Sequence, residues 1–168
     1  VLVAVFQPRN ALFSKLERVT VEIHDYAQGR TGYSNVGERL AMWQASAELF
    51  RRNPVFGVGA HRFSIASTQL RDEGLYPKDA HIYRHAHSTY ITIATEYGLI
   101  GLVVMAIAVG CLVRALRCAL PPYRTLALLL LGVWLCFALA NDILTHQALI
   151  RGLAATVAVF AASRFART

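Results

Sequence analysis

Apolar positions crowd into the second half of the chain. From Thr89 to Leu112 the only charged residue is Glu96, and at 1.5 Å per residue the run can cross a hydrocarbon core of roughly 30 Å. It predicts a complete membrane helix over 89–112. A second run, built around LALLLLGVWLCFALA, predicts another over 123–143, and a third, interrupted only by Arg151, predicts one over 147–163. The links 113–122 and 144–146 are short, so neighbouring spans are antiparallel, and 164–168 forms a tail. At the other end, 1–6 (VLVAVF) reads as the end of a truncated transmembrane helix, because neither a basic n-region nor a small-residue cleavage site accompanies it. The absence of an initiating Met agrees with a piece of a longer chain.

Residues 7–88 have a different pattern, with polar and apolar positions interspersed. Val36, Leu40, Trp43, Ala47 and Phe50 recur at spacings of three and four, which predicts an amphipathic helix over about 35–52 with these residues on its apolar face. Ser34 or Asn35 can cap it, and Asn53-Pro54 ends it. PVFGVGAHRF follows, in which Gly57 and Gly59 permit a tight turn or a close backbone approach. Arg71 to Arg84, with Gly74 and Pro77, reads as a loop leading into the first complete span. The chain contains no internal repeat. The pattern as a whole predicts an all-α, polytopic helical membrane protein with a long extramembrane loop that contains amphipathic helices.

Charge orients this arrangement. Arg114, Arg117 and Arg124 lie between the first two spans and Arg164 and Arg167 follow the third, whereas the link after the second span has no Lys or Arg. The arginine-bearing ends are therefore expected in the cytoplasm and 7–88 on the outer side, the periplasm of a Gram-negative cell. Composition supports lipid as the solvent for part of the chain: 55% of the 168 residues are hydrophobic and the mean hydropathy is +0.41. The net charge of +7 does not indicate nucleic acid, since Lys and Arg form no basic stripe interleaved with aromatics; an anionic lipid surface or anionic substrate fits better. Cys111, Cys118 and Cys136 lie in or beside apolar segments at spacings that match no metal knuckle, so neither disulfides nor cysteine chemistry are expected.

The densest group of chemically capable residues is His81, Arg84, His85, His87 and Ser88, just before the first complete span. A helix N-terminus favours an anion and lowers the pKa of a nearby imidazole, so a neutral His there can serve as a general base. The plainer alternative is a set of interfacial residues that reach into headgroups. Zinc binding by His81, His85 and His87, with His61, is disfavoured because no His-Glu-x-x-His or Cys pair accompanies them. Asp72, Glu73 and Asp79 are too dispersed for a magnesium pair. Arg39, four residues before Trp43, borders the apolar face of the predicted helix and suits a partly buried phosphate, or simply lies along its apolar neighbours. Arg30, in GRTGYS, is a further candidate on a flexible stretch. Glu96, Asp142 and Arg151 are the few ionisable residues within the spans, and Arg151 can pair with Asp142 if their helices adjoin. Such residues would be abundant in a transporter, which, with a structural membrane subunit, is the competing class.

The ordered series Arg39-Leu-Ala-Met-Trp43, Asn53-Pro-Val-Phe-Gly-Val-Gly59, His87-Ser88 and, after nine intervening residues, Gly98-Leu-Ile-Gly101 resembles the signature of the O-antigen ligase and polymerase superfamily, over roughly Arg30 to Gly101. The resemblance implies a glycosyltransferase C-like enzyme of about a dozen helices in the bacterial inner membrane, with its site facing the periplasm. It implies a donor glycan on undecaprenyl pyrophosphate, a lipid A-core acceptor, membrane lipids as surroundings, and neither cofactor nor metal. By residue matching, His87 takes the catalytic role and Arg39 engages the pyrophosphate, with Arg30, Arg84, His85, Ser88, Gly57 and Gly59 binding substrate. A place remains for another arginine upstream of Val1. The family often has Asn at or near the position of Ser88, and His85 is the alternative base; His87 is preferred for its spacing to the paired glycines. A ligase is the first reading, and a polymerase or protein O-oligosaccharyltransferase of the same superfamily the second.

Overall fold

A computed structural model describes residues 8–28, 35–117, 121–143 and 147–162. Among them the regular structure is entirely helical: α1 (Pro8–Ala27), α2 (Asn35–Arg52), α3 (Phe63–Asp72), α4 (Thr89–Arg117), α5 (Pro121–Ala140) and α6 (Gln147–Ala162). Val1–Phe6, Ser34, Cys118 and the tail 164–168 lie outside the described residues. Two helices are long and apolar enough to cross a membrane, α4 and the Tyr123–Ala140 part of α5. α6, where the sequence predicts a third span, is sixteen residues long.

The first core lies among α2, α3 and the loop after α3. Ala41, Met42, Ala45 and Leu49 of α2 meet Phe63, Ala66 and Leu70 of α3, with Tyr76, Ala80 and Ala86 from the loop. Phe63 is fully enclosed, a burial that contributes about 2–3 kcal/mol. The face of α2 differs from the predicted one. Its buried residues are Gly37, Ala41, Met42, Ala45, Ser46 and Leu49, while Trp43 and Ala47 are exposed and Val36, Leu40 and Phe50 half-buried. Small side chains let α2 approach its neighbours closely, and the larger residues that carry the hydrophobic period flank that contact. α1 and α3 were not singled out by the sequence reading. For α3 the signal was present, since Phe63, Ala66, Ser67 and Leu70 fall at helical spacing and are its buried residues.

α4 is interrupted at Gly98, where φ is 63° and ψ is −153°. The break removes two helical hydrogen bonds, those that Leu99 and Ile100 N–H would make to Thr95 and Glu96. The PVFGVG turn replaces both. Val58 and Gly59 N–H donate to the carbonyls of Thr95 and Glu96 (both 2.9 Å), and Leu99 and Ile100 N–H donate to Pro54 (2.8 Å) and Val55 (3.3 Å). The turn and the broken helix thus exchange backbone partners, leaving none of these four donors orphaned. Glycine is required on both sides: a Cβ on Gly57 would stand 2.4 Å from the Glu96 carbonyl carbon, and one on Gly98 2.4 Å from Val55 O.

The second core joins α4 to α5, where Leu116, Ala127 and Leu131 are buried with Leu112, Val113, Leu128, Leu130 and Leu135 around them. α5 begins at Pro121, a residue suited to the first helical turn, and α4 continues past Leu112 to Arg117. The start of α4 is tied to the end of α5. Thr89 N–H and Oγ1–H both donate to Asn141 O (3.1 and 2.9 Å), Thr89 Oγ1 accepts from Ile143 N–H (2.8 Å), and Tyr90 OH donates to Leu135 O (2.9 Å). The two helices are therefore antiparallel neighbours.

Candidate functional site around His87

The segment between α3 and α4 has no regular structure, and side chains determine its course. Tyr76 OH donates to His81 O (2.8 Å), and the Arg71 guanidinium lies over the Tyr76 ring while donating to Ala80 O. Burial pushes the Tyr76 phenol up to about 12. From α2, Trp43 Nε1–H donates to Ala86 O (3.0 Å), and Glu38 accepts from Tyr83 OH. That hydrogen bond to a carboxylate holds the Tyr83 phenol above its ordinary range. His81, Tyr83, His85 and His87 alternate along the chain, and their rings form one ladder of edge-to-face contacts. The ring centroids are 4.6 Å apart for His81 and Tyr83, 5.0 Å for Tyr83 and His87, and 4.7 Å for His85 and His87.

His87, in contact with both Tyr83 and His85, stands two residues before α4. Its φ of 52° is left-handed, a conformation that costs a non-glycine residue roughly 1 kcal/mol or more and persists only where neighbours hold it. The holding contacts are at hand, with Ala86 bonded to Trp43 on one side and Thr89 bonded to α5 on the other. His87 N–H also donates to His85 Nδ1 (3.4 Å), so in a neutral His85 ring the proton sits on Nε2.

Arg39 lies one helical turn before Trp43 on α2 and donates through Nη1 to Ala140 O (3.1 Å), at the C-terminal end of α5. A guanidinium suits that end, where carbonyls lack helical partners and the dipole is negative. This is its one hydrogen bond among the described residues, so other N–H donors of the fork are not engaged there. One face of α2 therefore reaches both the residue before His87 and the residue before Asn141, and Asn141 in turn accepts from Thr89. Arg39 and His87 are brought to the same end of the α4–α5 pair.

The other sequence candidates divide. His85 is half-buried and adjoins His87, and Arg84 is exposed on the same loop. Ser88 is buried, and its carbonyl opens α4 by accepting from Thr92 N–H (2.9 Å). Gly57 and Gly59 donate their N–H groups to Asn53 O and Glu96 O (3.0 and 2.9 Å). The close approach expected at Gly57 is made to the α4 backbone at Thr95 and Glu96, and of the two amides the one that bonds to α4 is that of Gly59. Arg30 lies outside the described residues. Among those residues, no three His, Cys, Asp or Glu converge as a metal site. Sequence reasoning missed Glu38 and Tyr83, although the alternating rings of the loop were visible as a period of two.

Neither a curated protein nor a solved structure matches the chain. A family model described as O-antigen ligase matches residues 1–106, which takes in the α2 residues, the PVFGVG turn, the His87 loop and the Gly98 break, and leaves α5 and α6 outside. With more than half its length matched, the chain belongs to the O-antigen ligase family.

Proposed function

We propose that the protein is an O-antigen ligase of the inner membrane, multi-pass, that transfers a glycan from undecaprenyl pyrophosphate to the lipid A-core oligosaccharide at the periplasmic face. His87 is the general base and Arg39 the pyrophosphate ligand. The observation that carries this reading is the α2 face whose Arg39 bonds to the C-terminal end of α5 and whose Trp43 bonds to the residue before His87. A sugar hydroxyl is a weak nucleophile, and an imidazole within hydrogen-bond reach can take its proton as the oxygen attacks the anomeric carbon. The bond from that carbon to the pyrophosphate oxygen breaks at the same time, and the electron pair leaves with undecaprenyl pyrophosphate. Attack from the face opposite the leaving group inverts the anomeric centre. The departing diphosphate is already a stable anion and needs positive charge more than a proton. The anchored Arg39 fork, with Arg84 on the loop, supplies that charge by charge-assisted hydrogen bonds, without a metal.

The test is transfer by membranes supplied with undecaprenyl-pyrophosphate glycan, a lipid A-core acceptor, a second glycan unit or an acceptor protein in separate arms, and excess chelator. Transfer to the lipid A-core with chelator present, abolished in His87→Ala, is the expected result. Full activity in His87→Ala ends the assignment of the base. Product only on another acceptor ends the ligase reading in favour of a polymerase or protein glycosyltransferase, and dependence on added metal ends the mechanism.

A further inference from the structure

We propose that the hydrocarbon boundary crosses α4 at Gly98 and that the tip of the PVFGVG turn, Val55 and Phe56, enters the lipid beside it. The two parts of α4 have different surroundings. Before Gly98, Thr89, Thr92, Ile93, Thr95 and Glu96 are buried within the protein. After it, Leu99, Ile100, Val103, Val104 and Ile107 are all exposed on a helix otherwise apolar enough to span. An exposed aliphatic surface of this kind is at home in lipid, whereas a carboxylate such as Glu96 is stable only when enclosed by protein or reached by water. Tyr97, 42% exposed, stands between the two parts, where amphipathic rings collect at membrane interfaces.

Length gives the same answer independently. From Leu99 to Arg117 α4 rises close to 30 Å, nearly that of the 20-residue α5, and about one hydrocarbon thickness. The whole of α4 is 29 residues and exceeds that thickness by more than 10 Å.

The turn is then fixed in depth by its own hydrogen bonds. Pro54 and Val55 accept from Leu99 and Ile100, the first residues of the exposed part, so this part of the turn lies within one hydrogen bond of them. Phe56 is 75% exposed and Val55 46%, continuous with Leu99 and Ile100 at 49% and 46%. Irregular backbone is tolerated at such depth when protein satisfies its polar groups, which the exchange at Gly98 does for Pro54 O, Val55 O and the N–H groups of Val58 and Gly59, while Asn53 O takes the N–H of Gly57. This placement rests on burial, helix length and hydrogen bonding and stands apart from the transfer reaction.

The experiment places a nitroxide on Phe56→Cys, in a background with Cys111, Cys118 and Cys136 replaced by Ser, with the protein in liposomes of zwitterionic and anionic phospholipid. Collision with oxygen, which concentrates in hydrocarbon, is compared with collision with a water-soluble nickel chelate. Val104→Cys serves as the lipid reference and exposed Lys78→Cys as the water reference. The oxygen-to-nickel ratio at position 56 is expected several-fold above that at 78 and close to that at 104, and Val55→Cys repeats the measurement with Phe56 in place. Nickel access at 55 and 56 equal to that at 78 overturns the proposal. So does poor access to both reagents, the signature of a protein surface covering the tip.

Discussion

The joint at Gly98 and the loop that carries His87 lie at opposite ends of the first part of α4 and are built by opposite means. At the joint, backbone bonds to backbone: four amide–carbonyl pairs cross between the turn and the helix, and the space is so small that only glycine fits at positions 57 and 98. In the loop, side chains hold the backbone: Trp43 of α2 on Ala86 O, Arg71 of α3 on Ala80 O, the loop's own Tyr76 on His81 O, and Glu38 of α2 through Tyr83. The first device leaves no polar group over and makes a rigid seam. The second fixes the loop through side-chain bonds to its carbonyls, two of them from α2 and α3, and leaves His85, His87 and Arg84 on one stretch of irregular backbone. A site that must meet a charged substrate is better built in the second way.

That contrast can be broken at the seam first. Gly98→Ala places a methyl group against Val55 O in a φ/ψ region that only glycine occupies readily, and is expected to destabilise by on the order of 3–5 kcal/mol. Gly110→Ala, with open space at its Cβ and ordinary helical geometry, is the matched control and should be neutral or slightly stabilising. Thermal unfolding of the two variants in detergent decides it, and equal melting temperatures would remove the seam from the account.

The loop predicts a different signature. His87→Ala should lower transfer by roughly 10²–10⁴-fold with little change in melting temperature, because the bonds that hold the loop come from Trp43, Tyr76 and Arg71. A melting temperature that falls as far as in Gly98→Ala would make His87 a structural residue. Trp43→Phe removes one hydrogen bond to Ala86 O and keeps most of the ring, so it should cost about 1 kcal/mol of stability and a larger share of activity, as the conformation of His87 relaxes. Unchanged activity with the expected loss of stability would show that Trp43 does not position the loop.

The smallest effect concerns pH. Hydrogen bonds from Arg51 and Arg52 hold the Glu48 carboxyl down to about 2, and Arg52 lowers that of Glu73 in the same way, tying the end of α2 to the residue after α3. Because these carboxyl groups titrate lower when folded, their contribution is present above the ordinary carboxylate range and is lost as pH falls from about 4.5 toward 2. The pairs are at the surface, so the loss is modest. Hydrogen-exchange protection at the α2 C-terminus, corrected for the intrinsic pH dependence of amide exchange, should fall over that interval in the wild type and change less in Glu48→Gln, which keeps the Arg52–Glu73 pair. Burial of Tyr76 works at the other limit: its raised pKa favours the folded state below pH 10, an advantage lost as pH rises toward about 12.

Much of this was legible along the chain. Apolar runs nearly without charge mark α4 and α5, because an apolar segment long enough to span has few other uses, and Asn53-Pro54 marks the end of α2. The residue types of the site could also be read, since His87, Arg39 and the paired glycines stand in a recognisable order. The buried face of α2 could not. Hydrophobic period favoured Trp43 and Phe50, while packing selected Ala41, Ala45 and Ser46 for their size, and size matters only once a neighbour is present.

What the sequence by itself determined was local: helical class, the apolar segments, and the residues with chemistry to offer, all of which depend on neighbours within a few turns. Only the tertiary structure decided that the glycines near 57 and the glycine at 98 belong to one joint, and that Arg39 ends on the carbonyl of Ala140. The reason is physical. An amide or a guanidinium takes whatever acceptor folding brings within about 3 Å, and a partner forty or a hundred residues away leaves no trace in periodicity or composition.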